Sequence, residues 1–332
     1  MQFKTPNMHI VDKNTFFKIV EKFKLVPFTQ TEGWWTMNST ENENRFAFFV
    51  DSIENPRMAA MGHIKKALGL TMLQIGGECF ADENAINDKI IREFYREIAQ
   101  CSYDIIEINS SLPYNALYEI GIRQAGYLRP VGLFSTALSI LVDLKKTIEY
   151  DKNWQKNLRR ANKYLLDFIP VNRSTEKDIN DYVAMHSEML TRKKIHDGVS
   201  HKGLQKLLQD KKFSIFFVET AEKKRIAGLI LYANHDAAIS VFSTTSLEGR
   251  EKSAAYFLFD KTFAYVADSR ILHYDCGRIS PSAHSKNNIF LFKNGVKGNY
   301  VQYCGEFSYY KRRFYRPLMY FVKKYLFKRV EL

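Results

Sequence analysis

Residues 213–242 read FSIFFVETAEKKRIAGLILYANHDAAISVF, a stretch in which three apolar runs are separated by short polar turns. The runs at 213–219, 227–232 and 238–242 are rich in β-branched and aromatic residues, which favour strands. Charged and turn-forming residues separate the runs, so each strand can fold back beside the previous one. The pattern predicts a meander of three antiparallel strands.

Helices and further strands flank this meander. Residues 175–193 have helical spacing, with Ser174 as the predicted N-cap, acidic residues in the first turn and basic residues at the end. The other elements predicted in this half are a helix at 202–209, a helix at 253–267, and strands at 271–274 and 301–303.

The first half of the chain also alternates strands and helices. Residues 84–100 place six apolar side chains at helical spacing, and residues 103–109 (YDIIEIN) form a β-rich run. Further elements are predicted as a helix at 15–23, strands at 45–51 and 58–64, and a helix at 116–125. Such alternation is typical of an α/β layer structure, and 332 residues suffice for two domains. We predict domains at 1–150 and 151–310, followed by a tail at 311–332.

Charge is distributed unevenly between the two halves. Residues 1–150 hold 16 basic and 18 acidic side chains, whereas residues 151–332 hold 33 basic and 18 acidic ones, and the net charge is +13. The second half is therefore expected to meet an anionic partner: nucleic acid, a phosphorylated cofactor or a membrane surface. Charge alone does not distinguish these three.

The remaining composition narrows the class of protein. No long apolar segment and no signal-peptide pattern is evident, so we expect a soluble, cytoplasmic protein. The four cysteines are scattered without a CxxC pair, which favours reduced thiols and gives no metal-binding spacing. We expect no metal and no resident cofactor.

Five short motifs carry a resemblance to a known family. They are PFTQTEGWW at 27–35, VDLKKTIEYDKNWQKNLRRANK at 142–163, YDCG at 274–277, LFKNGV at 291–296 and YCGE at 303–306. In order and spacing they resemble the FemABX family of peptidoglycan branch-forming transferases. The chain length, without an inserted coiled-coil arm, is most similar to the FemX branch. The element order of the second half is that of a GNAT acyltransferase domain.

The resemblance implies a fold and an activity. It implies an α/β (α+β) chain of two tandem GNAT-like domains with a C-terminal basic helix. It further implies an aminoacyl-tRNA donor and a UDP- or lipid-linked muropeptide acceptor. Three departures concern the acceptor: residues 36–39 lack a lysine found in the FemX branch, Asn109 replaces an aspartate, and Arg278 stands where a second glycine is expected.

The catalytic candidates lie in the motifs. Lys293 is expected to stabilise the oxyanion of the tetrahedral intermediate or to pair with a terminal tRNA phosphate. Phe292 either stacks on the terminal adenosine or packs in the core. Asp275 either accepts the amine's proton or caps the end of its strand.

The binding candidates form two groups. Candidates for the donor phosphates of tRNA or CoA are Lys156, Arg159, Arg160, Lys163, Arg250 and Lys252. Candidates for the acceptor, by resemblance, are Trp34, Trp35, Lys202 and Tyr303. The turn at 246–254 (SLEGREKSA) has one glycine and lacks the pyrophosphate pattern of acetyl-CoA-dependent enzymes.

The tail at 311–330 is basic and amphipathic. Leu318, Phe321, Val322, Tyr325 and Leu326 are predicted to share one helical face, with Lys323 and Lys324 turned away. Such a helix either lies on an anionic membrane, as a peripheral contact at its inner face, or packs against the second domain.

Two other functions remain open from the sequence. The chain could be an acyl-CoA-dependent N-acyltransferase acting on a different amine. It could also be a non-catalytic protein that binds nucleic acid or membrane on the same scaffold.

Overall fold

The structure, a computed structural model, describes residues 8–39, 45–67, 69–131, 137–194, 198–281 and 288–326. The chain forms two compact units. Unit 1 takes in residues 1–35, 41–138 and 302–332, and unit 2 takes in residues 36–40 and 139–301.

Helices and strands alternate along the whole described chain. In the first part they are β1 (His9–Val11), α1 (Lys13–Val20), α2 (Glu32–Asn38), β2 (Phe46–Val50), β3 (Met58–Ala67), β4 (Leu70–Ile75), β5 (Cys79–Phe80), α3 (Asp88–Gln100), β6 (Ile105–Pro113) and α4 (Ala116–Gln124). They continue with β7 (Leu138–Asp143), α5 (Lys152–Ala161), β8 (Asp167–Val171), α6 (Glu176–Lys193), α7 (His201–Leu207), β9 (Phe213–Glu219), β10 (Arg225–Asn234), β11 (Ala237–Thr245), α8 (Leu247–Glu251), α9 (Ala254–Asp268), β12 (His273–Ile279), α10 (Asn288–Asn294), β13 (Asn299–Tyr310) and α11 (Tyr315–Phe321). A π-helical turn, Val322–Leu326, follows α11.

Unit 1 is built on a mixed sheet. Strands β1, β2, β3 and β4 pair antiparallel in that order, β4 pairs parallel with β6, and β6 pairs antiparallel with β13. Helix α3 makes the crossover between the parallel strands. Its apolar residues Phe94, Tyr95 and Ile98 are fully buried in the same core as Leu73 of β4 and Ile106 of β6.

Unit 2 repeats this order of pairing. Strands β8, β9, β10 and β11 pair antiparallel, β11 pairs parallel with β12, and β7 lies next to β12. The predicted meander of three strands is therefore confirmed as β9, β10 and β11. The same strand order in both units is a tandem duplication of one fold.

The meander is apolar on both sides because helices cover both faces. Consecutive residues of a strand point to opposite faces. Phe217 contacts Tyr182 of α6, whereas Phe216 contacts Tyr265 of α9. A sheet covered on both faces needs nearly continuous apolar strands, and this explains the run at 226–232.

Most predicted elements are confirmed, with different ends. The helix predicted at 84–100 begins at Asp88, because the Asn87 side chain caps it. The N-cap of α6 is Thr175, not Ser174, since Thr175 and Asp178 form a reciprocal capping box. Strands β1, β4, β5 and β8 were not predicted. They are short or interrupted by polar residues and lack the signal that marks β9–β11.

The compact units differ from the predicted domain boundaries at 150 and 310. Residues 303–310 of β13 pair with β6 and complete the sheet of unit 1, although they were predicted in the second domain. Strand β7, predicted in the first domain, lies beside β12 in unit 2. The physical reason is backbone pairing, because a strand belongs to the sheet that satisfies its N–H and C=O groups.

The tail packs on unit 1 differently from the prediction. Tyr315 and Met319 are buried against Met72 and Ile105. Lys323 lies on a different face from Phe321 and Tyr325, as predicted, but that face packs on the sheet, and Lys323 is buried there in an ion pair with Glu107 at 3.2 Å. The physical reason is spacing: the side chains at 315, 319 and 323 follow one another at intervals of four residues and so share the buried face. The side chain of Leu326 lies outside the described part.

Within the described residues, no helix has the length and apolar character needed to cross a membrane.

Candidate functional site

The candidate site lies in unit 2, where the parallel strands β11 and β12 part. Their pairing runs from Ala237 opposite His273 to Ile239 opposite Asp275. Both strands continue beyond that point, to Thr245 and to Ile279. In α/β sheets, ligands bind preferentially beyond the carboxyl ends of parallel strands. The parting of β11 and β12 therefore leaves room for a site beside their distal halves.

Lys293 of α10 lies at this parting. Its Nζ donates a hydrogen bond of 2.9 Å to the carbonyl oxygen of Arg278 on β12. Gly277 adopts a φ of +80°, and a Cβ there would stand 3.2 Å from the Lys293 Nζ. The glycine in the YDCG motif therefore permits both the backbone turn and the close approach of the ammonium group.

Burial and charge act in opposite directions on Lys293. Burial lowers the pKa of the Lys293 ammonium below its ordinary value, while Cys276 and Asp275 act to raise it. A partly desolvated cation interacts strongly with an anion that enters beside it, because the local dielectric is low. Such a group can stabilise developing negative charge.

Asp275 is tied to its own strand end. Its Oδ1 accepts hydrogen bonds from the backbone N–H of Gly277, at 2.7 Å, and from the Ser139 hydroxyl. Both bonds hold the carboxylate beside β7 and β12. This geometry agrees with the strand-capping interpretation of Asp275 and places the carboxylate near Lys293.

Phe292 lies in a cluster of aromatic rings. Its ring centroid is 5.0 Å from that of Trp154, 4.9 Å from that of Tyr256 and 5.1 Å from that of Phe259. Phe292 is half-buried, and its contacts with three rings are those of a side chain packed at the edge of the core. Of the two interpretations from the sequence, core packing is the one that the contacts favour.

Helix α5 anchors the backbone on both sides of Lys293. The fully buried Trp154 donates its indole N–H to the carbonyl of Phe292 at 2.5 Å, and the Asp151 N–H donates to the carbonyl of Gly295 at 2.8 Å. A Cβ on Gly295 would stand 2.2 Å from the Trp154 ring. The sequence did not predict this role of Trp154. The one signal near it was that Trp154 and Leu158, four residues apart, give the basic helix an apolar face.

The opposite face of α5 and the turn after it are cationic. Lys156, Arg159, Arg160 and Lys163 are all exposed. Among the described ion pairs, none uses these four side chains. Because Trp154 anchors one face of the helix in the core, the face with the cations is turned to solvent, where phosphate groups can contact it.

The turn predicted to meet CoA phosphates is partly occupied by protein groups. The Leu247 N–H, at the start of α8, donates to the Glu188 carboxylate at 2.7 Å. Lys252 pairs with Glu248 at 2.8 Å, whereas Arg250 is exposed. Glu188 occupies the first amide of the turn, and Glu248 neutralises Lys252. The turn therefore has fewer N–H donors and less positive charge available to bind a pyrophosphate.

The acceptor candidates have different environments. Trp35 is buried in the core of unit 1 against Phe17 and Phe48, so its ring is largely withdrawn from ligands. Trp34 is half-buried, and Tyr303 is buried on β13 of unit 1. Lys202 is exposed on α7 of unit 2.

Unit 1 has a different arrangement at the corresponding position. The parallel pairing of β4 and β6 ends with Ile75 opposite Ile108, and Ser110 lies two residues further, as Gly277 lies two residues beyond Asp275. Ser110 donates a hydrogen bond of 2.5 Å to the Glu78 carboxyl, which also accepts from Tyr95 at 3.0 Å and Tyr118 at 3.2 Å. Burial raises the pKa of Glu78 to about 7, and the three hydroxyl groups act to lower it. In unit 1 this position is filled by protein side chains.

No metal site is evident in the described ranges, because no three His, Cys, Asp or Glu side chains gather there as ligands would.

The pairing order in both units, with one parallel pair after an antiparallel meander and a crossover helix, defines a tandem GNAT fold of the FemABX-like type. The crystal structure of FemX has this fold, with a TM-score of 0.74 at 12% identity over 94% of this chain and 99% of that one. L-PGS from Bacillus licheniformis matches with a TM-score of 0.65 at 16% identity over 100% of both chains. A tandem GNAT protein from the clavulanic acid biosynthesis pathway matches with a TM-score of 0.53 at 7% identity over 92% and 99%.

At the level of sequence, no protein-family model matches the chain, and no curated protein matches it. The likeness to the solved structures therefore concerns the fold. An activity can be inferred only from the residues of the candidate site.

Proposed function

We propose that the chain is an acyltransferase that moves an aminoacyl group from aminoacyl-tRNA to an amine of a peptidoglycan precursor. The observation that carries the proposal is Lys293, a partly buried cation held beside Gly277 where β11 and β12 part. The FemABX-like fold and the exposed basic face of α5 support it.

The reaction requires no redox partner and no metal. The acceptor amine attacks the ester carbonyl of the aminoacyl-tRNA, and a C–N bond forms while the carbonyl oxygen becomes an oxyanion. When the intermediate collapses, the ester C–O bond breaks, and the ribose hydroxyl leaves with a proton equivalent to the one that the amine releases. Stabilisation of the oxyanion by one preorganised donor is worth about 2.7–4 kcal/mol in other enzymes. Lys293 takes this role in the proposal.

The donor is proposed from charge and exposure. Lys156, Arg159, Arg160 and Lys163 offer four cations on the helix that also anchors the backbone around Lys293. The phosphodiester backbone of a tRNA can contact them together, whereas a single pyrophosphate cannot occupy so long a row. Contacts of this kind give affinity that falls steeply with salt.

Turnover with matched donors tests the proposal. The purified chain is incubated with a UDP-linked muropeptide and either a mixture of charged tRNAs or a panel of CoA thioesters, and the amide product is detected by mass spectrometry. We expect product with charged tRNA only. Product with CoA thioesters alone would instead establish an acyl-CoA-dependent N-acyltransferase. Absence of product with every donor, together with salt-sensitive RNA binding, would contradict the enzymatic proposal.

The role of α5 has its own readout. The triple variant Lys156→Gln/Arg159→Gln/Arg160→Gln is expected to raise the KM for charged tRNA and to flatten its salt dependence, with little change in kcat. A matched control, Lys18→Gln/Lys22→Gln/Lys211→Gln, removes three exposed charges elsewhere. Equal effects of the two triple variants would mean that net charge, rather than α5, governs donor binding.

A further inference from the structure

A row of exposed apolar side chains runs along α11 and its π-helical turn in unit 1. Phe314, Leu318, Phe321 and Tyr325 succeed one another at spacings of four, three and four residues, which places them on one face of α11 and its π-helical turn. Their exposed fractions are 55%, 38%, 56% and 62%. The rings of Phe321 and Tyr325 are stacked with centroids 5.9 Å apart. Large apolar side chains exposed together in this way usually mark an interaction surface.

The other face of this segment holds the row in place. Tyr315 and Met319 are buried against Met72 and Ile105, and Lys323 is paired with Glu107. The apolar row is therefore not the core-facing side of a loosely placed helix. It is the outer side of a helix that is already packed.

Cations border the row without nearby acidic residues in the same segment. Arg312, Arg313 and Arg316 are exposed, and no Asp or Glu occurs from residue 307 to residue 330. Lys65 of β3 stands opposite Met72 in the antiparallel register, so its side chain points to the sheet face on which α11 packs. Lys65 is exposed and adds a further positive charge on that side.

We propose that this surface docks unit 1 onto an anionic lipid bilayer. Aromatic and aliphatic side chains on the outer face of a helix can enter the boundary between headgroups and acyl chains, while arginines beside them bind anionic headgroups. RNA, the other polyanion, stacks its bases on aromatic rings, but it gains little from Leu318. The aliphatic side chain of Leu318 within the aromatic row therefore favours lipid over RNA. The proposal stands independently of the transferase proposal, since it needs neither donor nor acceptor.

Vesicle flotation of the full chain tests the docking surface without any turnover. We expect binding to vesicles of phosphatidylglycerol and phosphatidylcholine in equal parts, and no binding to phosphatidylcholine alone. Each basic residue near an anionic surface contributes about 1 kcal/mol, or about fivefold in partitioning. The variant Arg312→Gln/Arg313→Gln/Arg316→Gln should thus lose about a hundredfold in partitioning.

The apolar part is tested with a matched pair of variants. Phe314→Ser/Phe321→Ser/Tyr325→Ser should weaken binding to anionic vesicles by more than tenfold, whereas Ile10→Ser/Ile53→Ser/Tyr300→Ser, at residues exposed to a similar degree, should not. Circular dichroism and Tm establish that both variants are folded. Equal loss in both triple variants, or no preference for anionic vesicles, would overturn the proposal. Unchanged vesicle binding with loss of RNA binding in the α11 variant would assign the surface to RNA instead.

Discussion

The indole N–H of Trp154 donates a hydrogen bond of 2.5 Å to the carbonyl oxygen of Phe292, the residue before Lys293. This bond joins two features that the sequence places far apart, the basic helix α5 and the short helix α10. With the Asp151–Gly295 bond of 2.8 Å, it fixes the backbone on both sides of the lysine. The position of the lysine thus depends on a helix whose other face carries the cations proposed for the donor.

Trp154→Phe should therefore reduce turnover through Lys293. The change leaves a partly buried carbonyl without its donor, at a cost of about 1 kcal/mol in unfolding free energy. A small displacement of a catalytic group can cost up to about a hundredfold in rate, so we expect kcat to fall while the KM for the acceptor changes little. Steady-state kinetics and urea denaturation measure the two effects.

Trp35→Phe is the matched control for stability. Trp35 is also buried, but within the described residues its indole nitrogen has no hydrogen-bond partner. Trp35→Phe should therefore lower the free energy of unfolding by less than Trp154→Phe does. If Trp35→Phe destabilises the protein as much as Trp154→Phe, the hydrogen bond to Phe292 contributes little.

Lys293 should act as a cation. Lys293→Met removes the charge and keeps a similar side-chain length, so we expect kcat to fall about a hundredfold to a thousandfold in a protein that remains folded. In the wild type, the rate should decline at alkaline pH as Lys293 loses its proton, at a pH below the ordinary 10.5 because burial lowers the pKa. Lys293→Arg should lose this alkaline decline, since arginine stays protonated.

The control for this series is Lys297→Met. Lys297 lies four residues further, is exposed, and pairs with Glu149 at 3.5 Å. We expect its kcat to be near that of the wild type. Comparable losses in Lys293→Met and Lys297→Met would remove the basis for a special role of Lys293.

Glu78 should make stability depend on pH in an unusual direction. Its pKa is about 7 in the folded chain because of burial, against an ordinary value of 4.5. Between these values the folded state holds a proton that the unfolded state releases, so the free energy of unfolding falls as pH rises from about 4.5 to about 7. The full change corresponds to roughly 3 kcal/mol.

Glu78→Gln should abolish this dependence. Relative to the wild type, the variant should gain stability between pH 5 and pH 8, as measured by urea denaturation at both values. Glu83→Gln, an exposed change of the same charge in the same loop, is the control. A constant difference between Glu78→Gln and the wild type across this range would show that Glu78 is already ionised at pH 5.

The ion pair of Lys323 and Glu107 should couple the tail to the sheet of unit 1. Their side chains are 2% and 12% exposed, and the atoms are 3.2 Å apart. Lys323→Met leaves the Glu107 carboxylate buried without its cation, and the loss of one partner of a buried pair costs about 3–5 kcal/mol. Thermal denaturation should show a marked fall in Tm.

The double variant Lys323→Met/Glu107→Gln distinguishes the pair from general packing. It should recover much of the loss, because neither charge is then left alone. Gln74, which donates to Glu107 at 3.0 Å, can still bond the glutamine. Additive effects of the two single substitutions would show that the charges are not coupled.

The two units also show how one fold can hold different chemistry. Two residues beyond the last parallel pair, unit 2 has Gly277 beside Lys293, whereas unit 1 has Ser110 bonded to Glu78. Glycine leaves space at this position, and serine contributes to a filled cluster. This contrast favours unit 2 as the place where a reacting group binds.

Local patterns were sufficient for most of the secondary structure. The meander at 213–242 alternates strong β-formers with turns, and α3 carries apolar residues at helical spacing. Both patterns depend only on residues close together in the sequence, so they can be recognised without knowledge of the fold. The motif positions of Gly277 and Lys293 were likewise available, as a resemblance, from the sequence.

Long-range pairing accounts for what the sequence did not show. Strand β13 joins β6 across almost two hundred residues, and Lys323 finds Glu107 across a similar separation. The residues that neighbour Glu78 in the sequence do not indicate that its carboxyl binds Tyr95 and Tyr118. Likewise, the neighbours of Trp154 do not indicate that its indole N–H binds the Phe292 carbonyl. Buried polar groups form hydrogen bonds with partners that only folding brings close. The apolar periodicity of a single segment does not indicate which groups those partners are.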